Sequence, residues 1–319
     1  MENREQRERK RKVVEIVSGF LSAVVRFEEI HNTFWKRELA FEDVESFIDD
    51  RGKSVLFQLK ENCHALFRRN VSAGMEKELL FDLTVGTIFH EAMKLRENLY
   101  QLQFYGPQSE ALEAKKDRTR YEEDFRRQLA KILHRAENRF EEGMEETRTL
   151  ISEATQQLKS LLPDFNTNGL LMRFFVEQPE LIKKVFGGAV ADPLELMHPG
   201  RKPESLALAG RSYLESARYA KAQECFRLSL DEGCEDPELP SLLTIARGMS
   251  LYYAGEQEEA IAAFEEVASL GGQSEEVKIR LPEIGRAARR LASDLRTQRK
   301  IAAAERASAL AEWAEEADN

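Results

Sequence analysis

The chain has 319 residues, of which 42% are hydrophobic and 33% charged, and it carries a net charge of −10. That length allows one large or two ordinary domains. Only 9 Pro and 17 Gly interrupt it, and no stretch alternates apolar and polar residues over strand length between turns, so the composition indicates an all-α protein. The negative balance disfavours nucleic-acid binding by the surface as a whole, because phosphates are met by Lys and Arg. No apolar segment is long enough to span a bilayer. The three cysteines, Cys63, Cys225 and Cys234, have no metal-binding spacing and read as reduced thiols of a cytoplasmic protein.

Residues 1–12 are charge-dense and are expected to be disordered. Val13 to Val25 imitates the apolar core of a secretory signal. Glu15 interrupts it, however, and the apolar register continues through Phe27, Phe34 and Trp35, so it reads as a first core helix. Four helices are predicted over 13–38, 42–70, 76–105 and 109–161. Asp49 to Gly52 marks a possible break in the second. Asn70, Ser72 and Gly74 punctuate the next boundary, and Gly106-Pro107 the one after it. Short connections between long helices favour antiparallel neighbours, so residues 13–162 read as an antiparallel helical bundle. The fourth helix carries a stripe running Tyr121, Phe125, Leu129, Ile132, Ala136, Phe140, Met144, Thr147, Ile151, Ala154, Leu158, Leu161. Its period of about 3.6 residues suits a straight helix lying along its neighbours rather than a coiled coil.

Residues 163–202 carry prolines and Gly187-Gly188, and read as a junction with two short helices, Leu170 to Val176 and Glu180 to Phe186. Four helices follow: Glu204 to Ser216, Ala220 to Leu230, Ser241 to Ala254 and Gln257 to Leu270. Two sets of residues within them match at a constant offset. Gly210, Tyr213, Ala222 and Phe226 recur 38 residues later as Gly248, Leu251, Ala260 and Phe264. Fixed-period self-similarity marks a repeat architecture, in which each helical hairpin buries its apolar face against the next. The small Gly and Ala permit close helix approach, and the aromatic rings fill the space they leave. Over residues 203–272 the pattern resembles the tetratricopeptide repeat. The family period is about 34 residues, so the extra length lies in the acidic loop Asp231 to Pro240. The family's large aromatic is replaced by Leu206 and Thr244. From Glu275 to Glu316 a single long helix is expected, with Pro282 near its start and a stripe of Ile284, Ala288, Leu291 and Leu295 that caps the last repeat.

The resemblance implies protein binding without catalysis, by an adaptor or scaffold, and no cofactor. Carried over, the family's groove positions are Glu204, Ala207, Arg211, Leu214 and Glu215 in the first unit. In the second they are Leu242, Ile245, Met249, Tyr252 and Tyr253. Such a groove suits an apolar peptide or amphipathic helix. The competing occupant is the chain's own C-terminal helix. Catalytic alternatives are thin. Glu28/His31 and Glu61/His64 have the Glu-x-x-His spacing of di-metal carboxylate bundles, with Glu91 and Glu97 as further carboxylates. With 57 acidic residues and five His, roughly one such pair arises by chance. Arg26 and His31 match the loose Arg-x-x-x-x-His pattern of HEPN-type ribonucleases. A self-assembling structural protein is the third class.

Overall fold

The computed structural model describes residues 4–36, 38–49, 51–68, 75–165, 169–187, 192–197, 200–270 and 274–318. The protein is all-α: among the described residues there are fourteen α-helices and no strand. The chain forms two compact units, residues 1–166 with 180–191, and residues 167–179 with 192–319.

The first unit contains α1 (Arg4–Trp35), α2 (Phe41–Ile48), α3 (Val55–Cys63), α4 (Glu76–Ala114) and α5 (Arg120–Leu161). Its core is the inward face of α1, with Ile16, Val17, Phe20, Leu21, Val24 and Phe27 buried together with Phe47, Leu59, Phe81 and Phe140. Helix α1 begins at Arg4, so residues expected to be disordered are helical. Arg, Glu, Gln and Lys are strong helix formers, and Arg11 pairs with Glu15 one turn on, at 3.3 Å. The predicted helix 42–70 is divided. Gly52 takes φ +80°, and Ser54 caps α3 by accepting from the Phe57 amide at 3.4 Å. Past Cys63 the chain runs on through a π turn, His64–Arg68. Asn70, Ser72 and Gly74 lie outside the described residues.

Gly106-Pro107 does not end α4, which continues to Ala114. A proline there removes the amide that would serve the Gln103 carbonyl, and Gln103 is exposed, so water can satisfy that oxygen. The real stop is Arg118, whose guanidinium donates to the carbonyls of Leu112 and Glu113 at 2.5 and 2.6 Å. Thr119 and Glu122 then form the capping box of α5. The α5 stripe is buried from Leu129 through Leu161 apart from half-buried Ile132, whereas Tyr121, its first member, is 78% exposed.

The second unit contains α6 (Leu170–Glu177), a 3-10 turn at Pro193–Leu196, α8 (Lys202–Glu215), α9 (Tyr219–Asp231), α10 (Leu239–Ala254), α11 (Gln257–Ser269), α12 (Glu275–Lys278), α13 (Leu281–Thr297) and α14 (Ile301–Asp318). Between its α6 and the 3-10 turn comes α7 (Pro179–Phe186), which apart from Pro179 belongs to the first unit. In the second unit α6 packs on α8, and α8 on α9. Helix α10 packs on both α9 and α11, and α14 on both α11 and α13.

The single C-terminal helix expected over 275–316 is three helices. Pro282 sits in the first turn of α13. The chain then reverses at Arg299, which has φ +62°. The Lys300 amide reaches back to the Leu295 carbonyl at 2.9 Å. The same closure ends α8 at Ala217 (φ +56°) and α10 at Gly255 (φ +83°), with Arg218 bonded to Tyr213 and Glu256 to Leu251. This is the Schellman ending, for which glycine is the usual residue.

Candidate partner-binding surface

The matched residues of the two repeats occupy equivalent environments. A Cβ on Gly210 would stand 2.5 Å from Phe226 Cε1, and one on Gly248 would stand 2.6 Å from Phe264 Cε1. Phe226, Phe264, Ala222, Ala260 and Tyr213 are completely buried. Both hairpins therefore close by the same contact, the Cδ1–Cε1 edge of a phenylalanine ring against a glycine.

A third hairpin shares this register and was not legible in the sequence. Its offset from the second is 44 residues, from Gly255 to Arg299. Ala304 stands five residues past the reversal, as do Ala222 and Ala260, and is buried like them. Ala292 stands where the first two hairpins have Gly210 and Gly248. Ser308 stands where they have Phe226 and Phe264. With no ring to accommodate, the glycine is not required. The loss of the glycine and the ring hid the repeat; of the four matched positions, Leu295 (in register with Leu251) and Ala304 keep the residue type.

The groove residues divide into two classes. Ala207, Leu214, Leu242, Ile245 and Met249 are at most 3% exposed, so they form core and not an open groove. Arg211 is also engaged. Its Nε donates to Glu276 at 2.8 Å and its Nη2 to Asp236 at 2.7 Å, with Glu238 at 3.8 Å. Burial would lower the Arg211 pKa, yet Asp236 and Glu276 outweigh it and raise it. Burial alone would raise the Asp236 carboxyl, but the Glu238 amide and Arg211 hold it below its usual value. Burial pushes the Glu238 carboxyl up, with Glu276 adding to the effect.

The covering segment is α12 with the start of α13. Glu276 lies in α12, Val277, Leu281 and Ile284 are buried, and Glu283 accepts from the Tyr219 hydroxyl. The cis occupant is thus the first part of the C-terminal region, ahead of residues 297–319. Burial, reinforced by Glu283, raises the Tyr219 hydroxyl pKa.

The accessible remainder is Glu204, Glu215, Tyr252 and Tyr253. Glu204 is half-buried at the start of α8 and pairs with Arg201 at 3.3 Å. Glu215 is exposed. Tyr253 is 68% exposed. Its ring stacks on Tyr219 at 5.5 Å and 12°, and meets half-buried Tyr252 edge-on at 5.0 Å. Three tyrosines therefore form one aromatic ledge at the C-terminal end of α10, anchored from below by the Tyr219–Glu283 bond.

The residues considered for chemistry have other roles. Arg26 staples α1 to α2 through Asp43 at 2.8 Å and Ser46 at 3.0 Å, and also bonds Glu29. Glu28 pairs with Lys184 at 3.5 Å, Glu61 with Lys60 at 3.5 Å, and buried Glu91 with Lys94 at 2.7 Å. His64 and Glu97 are exposed. Among the described residues no three His, Cys, Asp or Glu side chains cluster so as to hold a metal ion. No described helix is long and apolar enough to cross a membrane. No protein-family model, characterised protein or solved structure matches this chain.

Proposed function

We propose that this chain is a non-catalytic adaptor whose second unit is a tetratricopeptide-like stack of three hairpins, and that the tyrosine ledge is its docking surface. The observation that carries the reading is the ledge itself. A tyrosine 68% exposed, held rigid by stacking on a buried neighbour, presents a large apolar face with little rotamer entropy left to lose. Tyrosine is among the residues that dominate interface energies. The partner surface that complements it is apolar. Docking at this edge leaves the Arg211 clamp and the α12 cover intact.

The test is quantitative affinity capture with the full chain, Tyr253→Ala and Tyr121→Ala. Tyr121 is the control because it is at least as exposed but lies in the other unit. A partner should be retained by wild type and Tyr121→Ala, and lose about 1–3 kcal/mol of binding with Tyr253→Ala, at unchanged helicity and melting temperature. Identical capture by all three proteins refutes the ledge as the docking surface.

A further inference from the structure

The first unit contains a cleft of about 440 Å³ unrelated to the ledge, walled by α1, α5 and α7. Along α1 the described lining is Val24, Phe27, Glu28, His31 and Asn32, and along α5 it runs from Arg148 through Ile151 and Thr155 to Lys159. Both sets recur at helical spacing, so each helix turns one face to the space. Val185 and Phe186 of α7 complete the wall.

Size decides the class of occupant. Arg148 and Lys159 stand three turns apart, about 16 Å along the helix. The cleft volume falls in the range of small-molecule sites, about 300–1,000 Å³. Its floor of Val24, Phe27, Ile151, Val185 and Phe186 is apolar and suits a hydrocarbon body.

Charge decides the head group. The one carboxylate in the lining, Glu28, is matched by Lys184 at 3.5 Å. Arg148 and Lys159 are exposed and have no hydrogen-bond or ion-pair partner among the described residues. His31 is already engaged: Trp35 Nε1 donates to its Nε2 at 3.1 Å, and Glu145 lies 3.6 Å away. Two unmatched cations on flexible stems therefore bracket a trough with an apolar floor and polar walls that include Asn32 and Gln156.

We propose that this cleft binds an anionic amphiphile, a straight-chain fatty carboxylate, with the chain on the Phe27–Ile151 floor and the carboxylate on Arg148 or Lys159. The test uses the full chain and the fluorescent probe 1-anilinonaphthalene-8-sulfonate, displaced by dodecanoate or by dodecanol below their micellar concentrations. Dodecanoate should displace the probe with one-to-one stoichiometry, at least tenfold more tightly than dodecanol. The double substitution Arg148→Gln with Lys159→Gln should weaken dodecanoate at least tenfold and leave dodecanol unchanged. Ser152→Trp, which fills the cleft from an exposed position, should abolish both. Equal displacement by acid and alcohol, indifference of dodecanoate to the loss of both cations, or no displacement by dodecanoate overturns the proposal. Unchanged circular dichroism in each variant separates these outcomes from misfolding.

Discussion

Adding one methyl group at Gly248 or Gly210 tests the repeat packing directly. The new Cβ would meet a ring carbon of Phe264 at 2.6 Å or of Phe226 at 2.5 Å, about 1 Å inside the optimum carbon–carbon separation of roughly 3.5–4.0 Å. Neither ring is exposed at all, so it cannot swing into solvent and must push on its neighbours. Overpacking of this kind costs about 1–3 kcal/mol. The helix-propensity gain of Ala over Gly, about 1 kcal/mol, offsets part of it. Gly86 of α4 is the control, since a Cβ there meets nothing within 4 Å. Gly86→Ala should stabilise by about 0.5–1 kcal/mol, whereas Gly248→Ala and Gly210→Ala should fail to stabilise, with a net cost of about 0–2 kcal/mol. The two tryptophans fall one in each unit, Trp35 and Trp313. Urea unfolding followed by Trp313 fluorescence in a Trp35→Phe background therefore reports the second unit, and Trp35 fluorescence in a Trp313→Phe background reports the first, where Gly86 lies. Combining Gly248→Ala with Phe264→Leu should recover part of the loss relative to the two single changes added together. If Gly248→Ala stabilises as much as Gly86→Ala, the ring-on-glycine contact is refuted.

Three other outcomes follow from the geometry. Arg211→Ala should cost about 2 kcal/mol, since it strips charged hydrogen bonds from Asp236 and Glu276; the same urea experiment measures it, and an unchanged midpoint would mean that α12 is held by its apolar residues alone. Burial raises the Cys63 thiol and pushes Cys225 up to about 12, while Cys234 is only half-buried; a thiol reagent at pH 8 should therefore modify one cysteine in the native protein and three in urea. Lys115 and then Thr119 hold Glu122 down to about 2 from the usual 4.5, so its stabilisation is complete above pH 4.5 and is lost as the pH falls toward 2. Carboxylate titration by NMR should show that low value in the wild type and a return toward 4.5 in Lys115→Gln.

Much of the helical pattern was legible because it rests on local chemistry. The four repeat helices begin and end within two residues of expectation, since Pro240, Gly255 and the apolar spacing act within a turn or two. What was hidden depended on partners distant in sequence or on atypical residues. Pro107 reads as a stop, but its site is exposed and the helix tolerates the lost bond. The reversal at Arg299 has no glycine to announce it, so α13 and α14 read as one helix. The groove failed for a different reason. Leu214, Ile245 and Met249 have the composition of a binding surface and of a core alike, and only the position of α12 and α13 tells the two apart. Tyr253 could be singled out from the repeat register, whereas its stack on Tyr219 joins residues of different repeats and left no local trace.

The path of the chain between the units also bears on how the protein is made. Helix α6 belongs to the second unit, α7 from Glu180 to the first, and everything from Asp192 onward to the second again. During synthesis the first unit lacks α7 until about residue 191 has emerged, by which time α6 has already left the ribosome without α8, against which it packs. The buried faces of Leu171, Met172 and Phe175 stay unshielded until α8 is complete at Glu215, 38 residues past the end of α6 at Glu177. Premature termination between 180 and 215 would release a chain with a greasy, unmatched helix. A fragment cut at residue 201 would lack that helix from the other side, leaving Leu208 and Tyr213 without the neighbours that cover them.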